Sequence, residues 1–432
     1  MRAVAPLLLL APLLQAPACA EPQAAAEPAA LPAATPVAAP AAKPPRATRT
    51  RIDFGERGEL IVDGQRRFIL AGHRSGQTDG FIGALKSAAD AGFDMVHEYR
   101  FESMDIAKQG VDRYVEDARA YLRKANQLGL GVYLGLPRTA VRAADEETIT
   151  EIVNALANER ALWMWYIYDE PRPEVLSVEA AAKVYSLLKR LDPDRPAIML
   201  TNKASTMQQY RAYCDVLWFD RYPIAATAIE KSSLRPIAEA LDSAMKAGPV
   251  SEKPVWPVLQ AQDNKGSPSL RKKRPNLQKP DDRTHRPNEA ELRAAAHVAI
   301  ARGAPAVAYY WAPESWYSMK TDTPGIWAAL GRVLDELGTL EPVLLDAVAS
   351  QPAGLAVDSG EVHAWARTHE GQTYYGFVNP DIHQPARALL PRSSAPGPFR
   401  KLHGNGTIDA SDRGTSIRLP PAGVVVVATG EG

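Results

Sequence analysis

From residue 58 onward, short apolar runs alternate with longer stretches in which apolar positions recur at helical spacing. The segment Gly58-Glu-Leu-Ile-Val-Asp-Gly64, followed by Arg67-Phe-Ile-Leu-Ala-Gly72, predicts a hairpin turning at Asp63-Gly64 and feeding a buried strand. Counting 68–71, the apolar runs are eight, the others being 93–99, 130–136, 163–168, 197–201, 216–220, 255–260 and 306–311. Amphipathic stretches at 111–128, 146–158, 178–191, 234–247 and 289–302 lie between them, and a last one, 327–337, follows the eighth run. Strands each followed by a helix, over 51–345, predict an α/β fold of the TIM, (β/α)8, type. A doubly wound open sheet is the alternative, but it needs a Gly-rich phosphate turn after its first strand, and Ala71-Gly72-His73-Arg74 supplies none.

The pattern changes after the barrel. Residues 362–367, 373–378, 416–419 and 424–428 are alternating or β-branched runs separated by Gly, Asn, Pro and Ser. They predict a small antiparallel β-sandwich over 346–432. The N-terminal end carries no such pattern. Met1-Arg2, an apolar run at 7–14 and Ala18-Cys19-Ala20 read as a secretory signal peptide over 1–20, too short to span a bilayer. In an alternative reading Cys19 is the lipidated first residue of a lipoprotein. Residues 21–50 hold twelve alanines and seven prolines, a solvated spacer without periodicity. The expected location is therefore periplasmic or extracellular.

Composition narrows the function. At 432 residues the chain has room for two or three domains, and 46% hydrophobic against 23% charged residues is the balance of a globular protein with an ample core. Lysine plus arginine number 50 and aspartate plus glutamate 50, so nothing in the net charge favours a nucleic-acid partner. Two cysteines cannot make a disulfide framework, and His73, His97, His285 and His297 never pair at ligand spacing, so no metal is expected.

In a (β/α)8 barrel the chemistry sits where the strands end, at the C-terminal mouth. The fourth run ends Tyr168-Asp169-Glu170-Pro171, adjacent acids after a hydrophobic strand with aromatic neighbours. A carboxyl group walled by aromatic rings has a raised pKa, as a general acid at neutral pH requires. The second run ends His97-Glu98-Tyr99 with Glu102 shortly after. The sixth ends Phe219-Asp220-Arg221-Tyr222, and the eighth Tyr310-Trp311-Ala312-Pro313-Glu314. Acids beside aromatics at four strand ends suit a sugar, whose hydroxyls bind carboxylates and whose C–H faces stack on rings. The segment 263–287, after the seventh run, holds eight Lys or Arg against three Asp and leans toward an acidic glycan.

With these residues placed, the stretch from Gly58 to Leu345 resembles the large clan of (β/α)8 retaining glycoside hydrolases, closer to its cellulase-like and β-galactosidase-like members. The likeness rests on Leu60-Ile-Val-Asp-Gly64, Ala91-Gly-Phe-Asp-Met-Val96, Asp169-Glu170-Pro171, Asp220-Arg-Tyr-Pro223 and 303–311. The resemblance implies that Glu170, in place of the glutamate of an Asn-Glu-Pro-like motif, is the acid/base, with Asp169 where the clan has a sugar-binding Asn. The clan's nucleophile is a glutamate ending strand seven. Here that strand reads Val255-Trp-Pro-Val-Leu-Gln260-Ala-Gln262, with no carboxylate before Asp263.

The expectation is an exported glycoside hydrolase acting on an oligo- or polysaccharide. Glu170 is its general acid, and Glu314 or Asp220 its base or nucleophile, with Glu98 a further candidate. Asp169, Glu98, Tyr99, Tyr222, Gln260 and Trp311 would hold the sugar, and two carboxylates need no cofactor. The alternative is a pseudoenzyme that binds glycan through the same cleft without cutting it.

Overall fold

The computed structural model describes residues 49–75, 80–224, 229–246, 253–262, 285–311, 319–346, 351–394 and 397–430. The expected leader, most of the spacer, Glu314 and residues 263–284 of the basic segment lie outside the described residues.

The chain enters through a three-stranded antiparallel sheet, β1 (Ile52–Phe54), β2 (Leu60–Val62) and β3 (Gln65–Arg67). Asp63 and Gly64, both with positive φ, form the β2–β3 turn, the backbone a tight two-residue hairpin requires. Eight parallel strands follow: β4 (Ile69–Ser75), β5 (Met95–Glu98), β6 (Gly131–Gly135), β7 (Leu162–Asp169), β8 (Ala197–Thr201), β9 (Val216–Arg221), β10 (Val255–Gln260) and β11 (Ala306–Tyr310). They pair in chain order and close, β11 against β4, into a barrel. Every expected strand of the barrel is present.

Strand alternation sorts the side chains. Ile69, Ala71, Met95, Tyr133, Met164, Tyr166, Ile198, Leu200, Val216, Trp218, Trp256, Val258, Ala306, Ala308 and Tyr310 fill the barrel interior. Their neighbours Leu70, Val96, Val132, Trp165, Ile167, Met199, Leu217, Leu259, Val307 and Tyr309 pack outward against the helices. The entry sheet plugs the lower end: Ile52 and Leu60 join the interior cluster, and Trp256 Nε1 donates to the Gly58 carbonyl at 3.1 Å.

Helices at Gly80–Ala91, Val111–Gln127, Glu146–Leu156, Val178–Leu191, Arg235–Lys246, Glu289–Ala301 and Pro324–Leu344 surround the strands. Asp145, Ser177 and Asn288 accept backbone N–H bonds at their N-termini, the last in a capping box with Glu291. The final helix is longer than periodicity predicts. Its C-terminal carbonyls are capped from outside: Arg367 Nη1 donates to the Leu344 carbonyl at 2.5 Å and to that of Asp346 at 2.9 Å.

The C-terminal region is a sandwich of two four-stranded antiparallel sheets. One joins β12 (Ala356–Ser359), β15 (Ala386–Pro391), β18 (Gly414–Leu419) and β17 (Thr407–Ser411). The other joins β13 (His363–His369), β14 (Gln372–Val378), β19 (Val424–Thr429) and β16 (Phe399–Gly404). The unbroken valine run of β19 has a simple cause. Val425 and Val427 face the sandwich core, while Val424 and Val426 face the barrel's helical layer, so both faces are dry. Trp365 carries the contact, donating from Nε1 to His297 Nδ1 at 3.2 Å. Burial pushes the pKa of His297 down to about 3, so it stays neutral and accepts that bond.

Below the barrel, Arg195 and Asp192, with side chains 1% and 0% exposed, pair at 2.8 Å, and Trp165 Nε1 adds a bond to Asp192 at 3.1 Å. Arg49 Nη1 meets the other oxygen of Asp192 at 2.5 Å, so loss of Arg195 removes one of two cations from the buried carboxylate. Arg195→Ala is expected to lower the unfolding free energy by about 1–3 kcal/mol in urea denaturation, the scale of a lost hydrogen bond to a charged group; an unchanged value would show that Arg49 alone satisfies Asp192.

Candidate active site

The mouth is built from the ends of β5, β6, β7, β9 and β11. Strand β5 brings in His97, whose ring stacks on His73 at 5.1 Å between centroids and on Tyr133 at 4.8 Å, with the edge of Tyr166 at 4.9 Å. The chain then turns through Tyr99 into a single helical turn, Arg100–Ser103, which folds Glu102 back inside. Its carboxylate lies 2.6 Å from His97 Nε2, and both side chains are 0% exposed. Gly135, ending β6, makes room for this: a Cβ there would stand 2.2 Å from Glu102 Cγ. Three residues on, Arg138 Nη2 lies 3.4 Å from Glu102 and 3.1 Å from Asp169, with its guanidinium over the ring of Tyr99.

Strand β7 delivers the adjacent acids. Asp169 Oδ1 also accepts from the Tyr166 hydroxyl at 3.1 Å, so its carboxylate is fixed between a cation and a phenol. Glu170 has a φ of +48°, in the left-handed region that a non-glycine residue enters at a cost, while its N–H still donates to the Leu200 carbonyl at 2.9 Å. This bend turns the side chain to the exposed rim, where the amide of Asn202 donates to Oε1.

Asp220, next to last on β9, is the buried member of the group. Burial raises its pKa to about 7, the charges of Glu170 and Asp169 add to the rise, and a hydrogen bond with Tyr222 opposes it. Its Oδ1 is buried with no hydrogen-bond partner among the described residues. Tyr222 stacks on Tyr310 at 5.3 Å, forming an aromatic wall beside the carboxyl.

The expected site residues thus do not all share one place. Glu170, Asp220 and Asp169 come together at the mouth, with Tyr99 and Tyr222 beside them. Glu98 is buried, with Oε1 accepting the Arg100 N–H at 3.0 Å. Gln260 and Trp311 are placed differently from a sugar-facing side chain. Both ends of the Gln260 amide bond the backbone of Ile224, its Oε1 accepting and its Nε2 donating at 3.0 Å, which ties the loop after β9 to β10. Trp311 continues the outward phase of β11 and packs between Phe93 and Trp327, at 5.9 and 4.8 Å. The inward aromatic is its neighbour Tyr310. Glu314 lies outside the described residues.

His73, His97, Arg138, Asn202 and Tyr310 enter the site without having been singled out for it. For three of them the signal is present: positions 69, 71 and 73, then 95 and 97, then 306, 308 and 310 carry the inward phase of their strands, so His73, His97 and Tyr310 top the interior. Arg138 and Asn202 sit in loops, where no phase exists to read.

The fold has solved counterparts. An α-amylase from Geobacillus thermoleovorans in complex with acarbose superposes with a TM-score of 0.55 at 11% identity, covering 84% of this chain and 98% of that one. Eubacterium rectale Amy13B gives 0.51 at 10% identity over 84% and 96%. An α-glucosyl transfer enzyme, XgtA, gives 0.50 at 12% identity over 84% and 99%. At such identities the likeness is one of fold. No protein-family model and no curated protein matches the sequence.

The raised pKa of Asp220 makes a stability prediction with a definite sign. Its folded value, about 7, lies above its ordinary 3.8, so the folded state holds a proton that the unfolded state releases. Stability from this group is present below the ordinary value and is lost as pH rises toward 7, on the order of 4 kcal/mol in all. Asp220→Asn removes the titration. Its stability relative to wild type is expected to grow between pH 4 and pH 7 and to level off above, in thermal denaturation across that range. A difference independent of pH would mean that Asp220 titrates like an exposed carboxyl.

Proposed function

We propose that this chain is an exported glycoside hydrolase that cleaves an oligo- or polysaccharide with the carboxyl groups of Glu170 and Asp220. One observation carries the reading: the Asp220 carboxyl is buried beside the charges of Glu170 and Asp169, and this setting raises its pKa to about 7. A site needing one acid and one carboxylate is supplied where burial and the neighbouring acids disfavour ionisation of Asp220. Glu170, on the rim, is the group that can meet a glycosidic oxygen. Binding a sugar takes water from Glu170 and raises its proton affinity. Transfer of the Asp220 proton to Glu170, through water, then leaves an acid at the mouth and a carboxylate beneath it. Glu170 protonates the leaving oxygen, and Asp220 acts on the anomeric carbon, directly or through water according to the carboxyl separation. Asp169, fixed by Arg138 and Tyr166, accepts a sugar hydroxyl, while Tyr99, Tyr222 and Tyr310 offer ring faces. The leader over 1–20 would direct the protein out of the cytoplasm.

A second reading has its own support. The strand-seven position where the resembling clan keeps its nucleophile holds Gln260, and both ends of that amide are engaged with backbone. A barrel that binds glycan without cutting it fits that substitution.

The two separate in one experiment on the full chain, testing wild type, Glu170→Gln and Asp220→Asn against a panel of polysaccharides. Released reducing ends are counted and the anomer of the fresh product read by NMR. The hydrolase predicts cleavage by wild type and a loss of at least about a hundredfold in kcat in either variant, the usual scale for an acid/base group. Binding of one glycan to all three proteins with no reducing ends released would establish the pseudoenzyme. Cleavage at wild-type rate by Glu170→Gln would end that residue's assignment.

A further inference from the structure

The two strands that carry the candidate carboxyls repeat one arrangement. On β7 the order is Tyr168-Asp169-Glu170, and on β9 it is Phe219-Asp220-Arg221. In each, the aromatic just before the acid points outward into the helical layer, and each carries an arginine on its ring. Arg221 lies over Phe219 at 5.3 Å and donates from Nη1 to the Asn202 carbonyl at 3.2 Å. Arg142, one helical turn beyond Arg138, lies over Tyr168 at 5.6 Å and donates from Nε to the Tyr168 hydroxyl at 2.6 Å. Asn202 links one of them to the centre, since the same residue whose carbonyl holds Arg221 gives its amide to Glu170.

Both arginines are exposed, and among the described residues their hydrogen bonds go to a phenol and a backbone carbonyl, not to a carboxylate. Most cations near the mouth are paired: Arg138 has Glu102 and Asp169, and Arg100 has Asp117 at 3.2 Å. A guanidinium has five N–H donors, and one protein bond each for Arg221 and Arg142 leaves a planar fork held in place by the ring beneath it. Such a fork matches a carboxylate in two parallel bonds. Held on a ring, it loses little freedom on binding.

We infer that the substrate is a carboxylated glycan, a polymer containing uronic acid units, with Arg221 and Arg142 each receiving the carboxylate of a sugar flanking the bond to be cleaved. The inference rests on the proposed glycan site and adds its chemical class.

The test uses binding in the Glu170→Gln background, so that cleavage does not interfere. The probes are oligomers of polygalacturonate, alginate and hyaluronan, each beside its carboxyl-reduced counterpart, in which hydroxymethyl replaces carboxylate. At least one acidic oligomer is expected to bind about tenfold or more tightly than its reduced form, the scale of one charge-assisted pair. Adding Arg221→Gln and Arg142→Gln should close that gap, with affinity for the reduced form little changed and thermal unfolding confirming a folded chain. Equal affinity for both forms, or an equal loss for both on removing the arginines, would overturn the inference. So would failure to bind any acidic oligomer. Reducing-end release from neutral glycans by wild type is measured alongside, so cleavage confined to neutral substrates would refute the acidic class while sustaining the hydrolase.

Discussion

A carboxylate removed completely from water must be met by charge or it does not stay ionised, and Glu102 is such a group. Around it the mouth of the barrel is organised. His97 meets it from β5 and Arg138 from the loop after β6, and Gly135 has no side chain because one would occupy the place of Glu102. Arg138 reaches on to Asp169, so a single guanidinium ties the buried carboxylate to the end of β7. The chain of contacts runs from interior to rim without a gap, and it fixes the wall against which Glu170 and Asp220 stand.

Beneath that wall the barrel interior is unusually aromatic. Tyr133, Tyr166, Trp218, Trp256 and Tyr310 fill it together with His73 and His97. Rings of this size exclude water while their hydroxyls still bond the groups above: Tyr133 contacts His73 at 2.8 Å, and Tyr166 donates to Asp169. A dry floor under a polar mouth is what lets Asp220 hold its proton near neutrality, since burial is the largest contribution to its shift. The sandwich acts at a distance from this chemistry. It covers the helix Glu289–Ala301, whose residues 291–300 are buried, and caps the last helix through Arg367. Its small alanine-rich surface allows strands on one side and sandwich on the other to approach it closely.

Much of this was legible beforehand because alternation and helical spacing are local properties of the chain. The eight barrel strands, the hairpin at Asp63-Gly64 and the convergence of acids at strand ends all follow from residues close in sequence. In the sandwich, runs at 362–367, 373–378, 416–419 and 424–428 were readable because at least one face of each is apolar. Strands β12 and β17 were not, as their side chains are mostly exposed and resemble loop. Strand β15, with only alternate positions buried, and β16, polar and half-exposed, were equally hidden.

The sequence by itself determined the architecture and the presence of carboxyl groups at the ends of β7 and β9, because periodicity and chain order need no knowledge of distant contacts. Only the tertiary structure decided which carboxyl is buried, that Gln260 binds the backbone of Ile224, and that Tyr310 and not Trp311 faces the interior. The reason is physical. Desolvation and Coulombic interaction depend on distances between residues far apart in the chain, as Asp220 is from Asp169 and Glu170. The inward phase of a strand, too, has meaning only once the barrel has closed around it.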